Sequence, residues 1–252
     1  MDLPATRGRT DALDNLDLDS SVATPRVLEP FDYLMMPQFQ KPAAHLRRAL
    51  SASQQDNRPF AHWLVSDALP AELYRDLRDL DLGPPPPSDS AGRRETHNAQ
   101  RLFCGVAARQ RFAAVDRLAT AFQDPETVAA IAARTGTSLH GTSLRIEYCL
   151  DTEGFWLEPH TDIGVKKFTM LVYLSDTPGG EAWGTDLLSP DGVLVSRPLA
   201  HPNSAVIFIP SRNSWHGFAR RPISGVRRTL IINFVGPAWQ ARHELCFPDA
   251  PV

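Results

Sequence analysis

Arg227-Arg228-Thr229-Leu230-Ile231-Ile232-Asn233-Phe234 is the stretch whose reading decides the fold. It is rich in β-branched and aromatic residues, and successive side chains of a strand point to opposite faces. One face then carries Arg227, Thr229, Ile231 and Asn233, and the other Arg228, Leu230, Ile232 and Phe234. The second face is greasier and suits packing beneath helices. The first is mixed and polar, as a cavity wall would be. Phe168–Leu174 splits in the same way, with Thr169, Leu171 and Tyr173 against Phe168, Met170 and Val172, which places Tyr173 on the wall. Further runs of this period occur around 144–150, 193–196 and 205–209, punctuated by SDTPGG, SPDG and HPNS. Short strands between turn signals predict a sandwich or barrel, with its β core over about 140–237.

Upstream the period is helical. Leu73, Leu77 and Leu80 fall at i, i+4 and i+7 behind Pro70, and Phe112, Val115, Leu118 and Phe122 share one face. Asp124-Pro125 reads as an N-cap followed by proline at the first helical position, and Gly136 closes that helix. Gly83 and Pro84–Pro87 open a long polar loop through about Gln100, which is either a lid or a solvated connector. Arg93 and Arg94 within it, and Arg101 just beyond, are placed to meet an anionic substrate. Residues 1–28 lack a sustained apolar period and read as a flexible arm. The expected organisation is therefore one domain over 29–252, mainly β, with about three flanking helices.

Of the 252 residues, 42% are hydrophobic and 22% charged, a mixture able to bury a core. A formal net charge of −3 argues against a broad nucleic-acid footprint, while leaving room for a small anion held by one or two arginines. Cys104, Cys149 and Cys246 are an odd number without a CxxC pair. A disulfide framework is not expected, and reduced thiols in a cytoplasmic setting fit better. The N-terminus has no apolar signal region, and no run of 18 apolar residues exists, so a membrane span is not expected.

Glu158-Pro159-His160-Thr161-Asp162 contains an HxD pair, and residues i and i+2 of a strand share a face. Alone this is weak, because such a motif arises roughly once by chance in a chain of this composition. His216 follows in Asn213-Ser214-Trp215-His216-Gly217-Phe218, after the predicted strand 205–209, and Arg227 comes eleven residues later. Two imidazoles and one carboxylate on one side of an ion form the facial triad of non-heme Fe(II) oxygenases, which leaves open positions for a 2-oxo acid and O2. Arg227, on the polar face, suits the distal carboxylate of 2-oxoglutarate because its planar fork matches a carboxylate bidentately. Arg228 is expected to reach solvent. The other histidines show no ligand spacing, and Glu147 reads as a structural or solvated charge.

The order HTD, SWHGF, GVRRTLIINF resembles the Fe(II)/2-oxoglutarate dioxygenase superfamily, in its prolyl-4-hydroxylase-like branch. With the strand RIEYCL and the helical stretch before it, the likeness covers roughly 60–237. It implies a double-stranded β-helix (jelly-roll, cupin-like) core, iron on His160, Asp162 and His216, and 2-oxoglutarate on Arg227, with O2 as the second cosubstrate. By position, Tyr173 resembles a tyrosine that helps hold the distal carboxylate, and Tyr148 one near the cosubstrate's other end. Asp162 stands where related halogenases carry a small residue, which favours hydroxylation or desaturation. Asn233 stands where the hydroxylases often have an aromatic, a departure that points away from peptidyl-proline.

With no recognition domain and no basic run, the expected substrate is a small molecule: an amino acid, a sugar or a natural-product intermediate. Succinate and CO2 would be co-products, and Asn233, Trp215, Arg94 and Arg101 are the candidate substrate contacts. Three alternatives stay open: a peptidyl (prolyl-type) hydroxylase, a zinc hydrolase on the same triad, and a non-catalytic metal-binding β-barrel module.

Overall fold

The computed structural model describes residues 37–85, 91–93, 101–162 and 164–252. Two antiparallel sheets carry the chain's architecture. The larger joins β1 (Gln54–Asp56), β2 (His62–Val65), β9 (Ala205–Phe208), β6 (Lys166–Tyr173), β11 (Arg227–Val235), β4 (Ser143–Asp151) and β3 (Arg101–Phe103) in that order. The smaller joins β5 (Leu157–His160), β10 (His216–Phe218), β7 (Asp186–Leu188) and β8 (Leu194–Ser196). This is a mainly β, jelly-roll-like arrangement.

β11 lies between β6 and β4, and its two faces separate as the sequence predicts. Leu230, Ile232 and Phe234, with Ile146 of β4 and Met170 of β6, belong to the large core that also takes in Leu46, Leu73 and Phe122 from the helices. Fully burying one such side chain is worth about 1.5–3 kcal/mol. The opposite faces meet the smaller sheet, where Leu171, Tyr173, Val206 and Phe208 pack with Leu187 of β7. The space left between the sheets is where polar side chains gather.

The helical layer consists of α1 (Pro37–Ala52), α2 (Ala71–Arg78), α3 (Val106–Arg111), α4 (Ala113–Gln123) and α5 (Pro125–Thr135). α2, α4 and α5 match the periodic segments. The Asp124 side chain accepts the Thr127 N–H at 2.9 Å, and Gly136 closes α5 at φ 72°. Two expectations need correcting. The described residues hold five α-helices rather than about three, since α1 and the six-residue α3 carry no clear sequence signature; α1 even contains Pro42. The β core also begins before residue 140, because β1, β2 and β3 extend the larger sheet. Strands of three or four residues show too little alternation to be read from sequence. The 1–28 arm, most of the 83–100 loop and Arg94 lie outside the described residues.

Candidate metal centre and its cavity

His160 ends β5 and His216 begins β10, and the antiparallel register sets them directly opposite each other. Their ring centroids are 4.3 Å apart. The strands approach closely because residue 217 is glycine: a Cβ there would sit 3.0 Å from the Leu157 carbonyl oxygen. Asp162 lies two residues past His160, and one ligand atom from each of the three residues falls within 4.8 Å of the others.

Local hydrogen bonds aim the imidazoles. His160 Nδ1 lies 2.8 Å from the Glu158 carbonyl oxygen and His216 Nδ1 2.9 Å from that of Ser214. A carbonyl only accepts, so each Nδ1 carries its proton and each Nε2 keeps its lone pair for a metal. Asp162 divides its carboxylate. Oδ1 accepts from Lys166 Nζ at 2.8 Å, while Oδ2 faces His216 Nε2 at 3.8 Å. Burial favours the uncharged form of Asp162, but the Lys166 ammonium and the imidazoles overcome it and hold the carboxyl below the usual carboxylate range. Burial pushes the His216 imidazole down to about 4 against the opposing pull of Asp162. At neutral pH Asp162 is ionised and His216 neutral, the forms in which these side chains bind a divalent cation. The donor set fits such an ion.

The triad faces a cavity of about 320 Å³ between the sheets. Arg227, Thr185 and Phe218 line one end; Arg101, Arg145, Glu147 and Trp239 line the other. Arg227 pairs in register with Asp151 and Asn233 with Arg145, so the two ends lie six residues, about 20 Å, apart along β11. Arg227 is 3% exposed, donates from Nη1 to Asp151 Oδ2 at 2.6 Å and from Nε to the Trp183 carbonyl at 2.8 Å, and stacks 4.8 Å from Phe218. At the far end the Glu147 carboxylate bridges Arg101, at 2.6 Å, and Arg145, which also donates to Glu244 at 2.5 Å. Removing one member of so buried a set strands the others' charges, so these groups are coupled.

The polar-face reading of β11 holds for Arg227, and the opposite-face reading for Arg228, which joins Arg78, Asp79 and Asp176 around a recess on the helical side. Arg101 lines the cavity. Tyr173 stands on the expected face but behind the wall: its hydroxyl donates to Thr185 Oγ1 at 3.0 Å and accepts the Thr185 N–H at 3.1 Å. Three placements are corrected. Tyr148 points into the helical core, where its hydroxyl donates to the Leu77 carbonyl at 2.8 Å, because it alternates with Glu147 and it is Glu147 that faces the cavity. Trp215 precedes His216 and by alternation faces the other way, off the cavity lining. Asn233 is fully buried beneath the floor, bonded through Nδ2 to Thr169 Oγ1 at 2.9 Å. Sequence reasoning missed Lys166, Arg145, Asp151 and Trp239. Alternation along β4 carried the signal for Arg145, Glu147 and Asp151, whereas Trp239 comes from an irregular segment that has none.

No protein-family model matches the sequence, and no curated protein does. Solved structures do match. A prolyl hydroxylase from Trichoplax adhaerens, in complex with a hypoxia inducible factor oxygen degradation domain peptide fragment, is 14% identical, with a TM-score of 0.54 over 81% of this chain and 95% of that one. A prolyl 4-hydroxylase from Phytophthora capsici is also 14% identical, with a TM-score of 0.53 over 79% of this chain and 65% of that one. A Pseudomonas putida prolyl-4-hydroxylase aligns at 18% identity with a TM-score of 0.49 over 78% and 95%. The first two likenesses establish a shared fold.

Proposed function

We propose, from that shared fold and the triad's geometry, that this chain is an Fe(II)- and 2-oxoglutarate-dependent dioxygenase built on a double-stranded β-helix. The observation that carries the proposal is the convergence of His160, Asp162 and His216 on one point, with both Nδ1 atoms tied back, at the wall of a cavity that also holds Arg227. Iron bound there, with 2-oxoglutarate and O2, supplies chemistry that couples decarboxylation of the oxo acid to hydroxylation of a C–H bond, giving succinate and CO2.

The chain's own residues bind and orient. Lys166 holds Asp162 Oδ1, which would leave Oδ2, on the His216 side, for the ion. Arg227 would hold the distal carboxylate of the oxo acid, its guanidinium fixed in place by Asp151 and the Trp183 carbonyl. Tyr173 supports that end through Thr185. No side chain is required as a general base.

For the substrate, the fold neighbours favour a peptide of the prolyl type over the small molecule expected from sequence. Asn233 no longer argues against this, since it serves Thr169 beneath the floor while Trp239 gives the cavity an aromatic wall.

Adding Fe(II) and then 2-oxoglutarate without O2 is expected to produce the visible charge-transfer band of a chelated oxo acid. Arg227→Ala should weaken that band at least tenfold in apparent affinity. A metal-loaded protein without the band supports a binding module, and turnover indifferent to O2 and 2-oxoglutarate supports a zinc hydrolase. Succinate release above the uncoupled background should be stimulated by proline-containing peptides; stimulation by free amino acids or sugars alone would reverse the substrate assignment.

A further inference from the structure

The end of the cavity remote from Arg227 is charged, walled by an aromatic ring, and takes no part in holding the metal. Arg101, Arg145, Glu147 and Trp239 line it. Glu147 spends both carboxylate oxygens, Oε2 on Arg101 at 2.6 Å and Oε1 on Arg145 Nη1. Arg145 Nε donates to Glu244 Oε2 at 2.5 Å, so Nη2 is the one guanidinium nitrogen of Arg145 left without a hydrogen bond among the described residues. Arg145 is 4% exposed, and Cζ lies between two rings, 5.1 Å from the centroid of Phe103 and 4.6 Å from that of Trp239. Two carboxylates and two aromatic rings therefore fix the fork before any ligand arrives. Trp239 adds a second donor, because its indole Nε1 is buried and has no hydrogen-bond partner. Buried donors are rarely left unmet in folded proteins, since each has given up water without gaining an acceptor.

This end of the cavity thus offers donors, and its one lining carboxylate is already taken up twice. The charges decide which acceptor fits. Arg101 and Arg145 are balanced by Glu147 and Glu244. A ligand carboxylate would bring a third negative charge to a buried place where two cations stand, whereas a neutral carbonyl leaves the balance undisturbed. An ammonium would have to take Glu147 from the arginines that hold it. On the oxygenase reading above, on which this rests, we propose that Arg145 Nη2 and Trp239 Nε1 hold a backbone carbonyl of the substrate. They are then positioning residues that select a peptide over a free amino acid.

The probes are proline-centred peptides, acetylated at one end and amidated at the other, and free proline. Calorimetry with the zinc-loaded protein reads binding without turnover, and succinate release from the iron-loaded protein reads KM and kcat. The capped peptides should bind and free proline should not. Trp239→Phe keeps a ring against Arg145 and deletes the N–H. It should raise the peptide Kd and KM by about threefold to tenfold, the worth of one hydrogen bond, with kcat at saturation little changed. Arg145→Lys keeps the charge, removes the fork and should raise both by about tenfold. Affinity for 2-oxoglutarate should stay at the wild-type value in both variants, since Arg227 stands at the other end; a merely structural defect would lower the two affinities together.

A peptide Kd equal in the wild type and Trp239→Phe would overturn the assignment. So would capped peptides that fail to bind, or free proline that binds and is weakened by Arg145→Lys. If 2-oxoglutarate gives no charge-transfer band with Fe(II), the oxygenase reading fails, and the calorimetric comparison still decides the carbonyl site.

Discussion

Lys166 binds the one oxygen of Asp162 that the imidazoles leave alone, and this fixes how the carboxylate can present itself. Partners that orient a ligand commonly contribute 10–100-fold to metal affinity. Lys166→Met should therefore weaken metal binding by about tenfold in competition with a chelating dye, with Lys166→Arg closer to wild type; equal affinities would show the contact to be incidental. The cysteines yield a second prediction. Burial raises the Cys104 thiol well above its ordinary value and pushes Cys246 up to about 12. Almost no thiolate then exists at pH 8, and reaction with a thiol-specific disulfide reagent should follow the rate of unfolding. Prompt labelling of the native protein would contradict that burial.

At the scale of elements, Asp124 joins two helices. Its carboxylate caps α5 through the Thr127 N–H and accepts from Arg47 of α1 at 2.8 Å. Loss of an N-cap costs about 0.5–2 kcal/mol, and the stranded arginine adds to it. Asp124→Ala should lower unfolding stability by about 2 kcal/mol in a denaturant titration, while Glu126→Ala, an exposed partner of the same arginine, should cost well under 1 kcal/mol. β11 shows how an element positions a site. Its helix-facing residues are locked into the core, so Arg227 and Ile231 are held at the cavity wall without freedom to slip, since a shift of one residue would exchange the two faces.

For the whole molecule, the two sheets enclose charges that respond to pH together. The folded protein holds His216 neutral down to about pH 4, whereas an unfolded chain protonates it near 6.5. Between those values the unfolded state binds more protons, so stability present above pH 6.5 is lost as the pH falls toward 4, by roughly 3 kcal/mol for this group in the metal-free protein. Protonation of Asp162, whose folded value is depressed, extends the loss to lower pH. Denaturant midpoints measured from pH 7.5 to 4 should show the decline, and a flat profile would refute it. Local chemistry made much of this legible. The alternation of 227–234, the Asp124-Pro125 cap, the closing Gly136 and the HTD motif depend on neighbours within a few residues, so the sequence by itself determined the helical layer's main members, the central strands, the His160–Asp162 pair and which of Arg227 and Arg228 faces the cavity. Packing decided the rest. Which face of β4 turned inward separated Glu147 from Tyr148; the irregular segment after β11 put Trp239 on the wall, and the pairing of β4 with β11 set Asp151 against Arg227; three-residue strands took shape only because longer ones flanked them. Those outcomes follow from which surfaces meet across the interior, and contacts of that range leave no period in the chain.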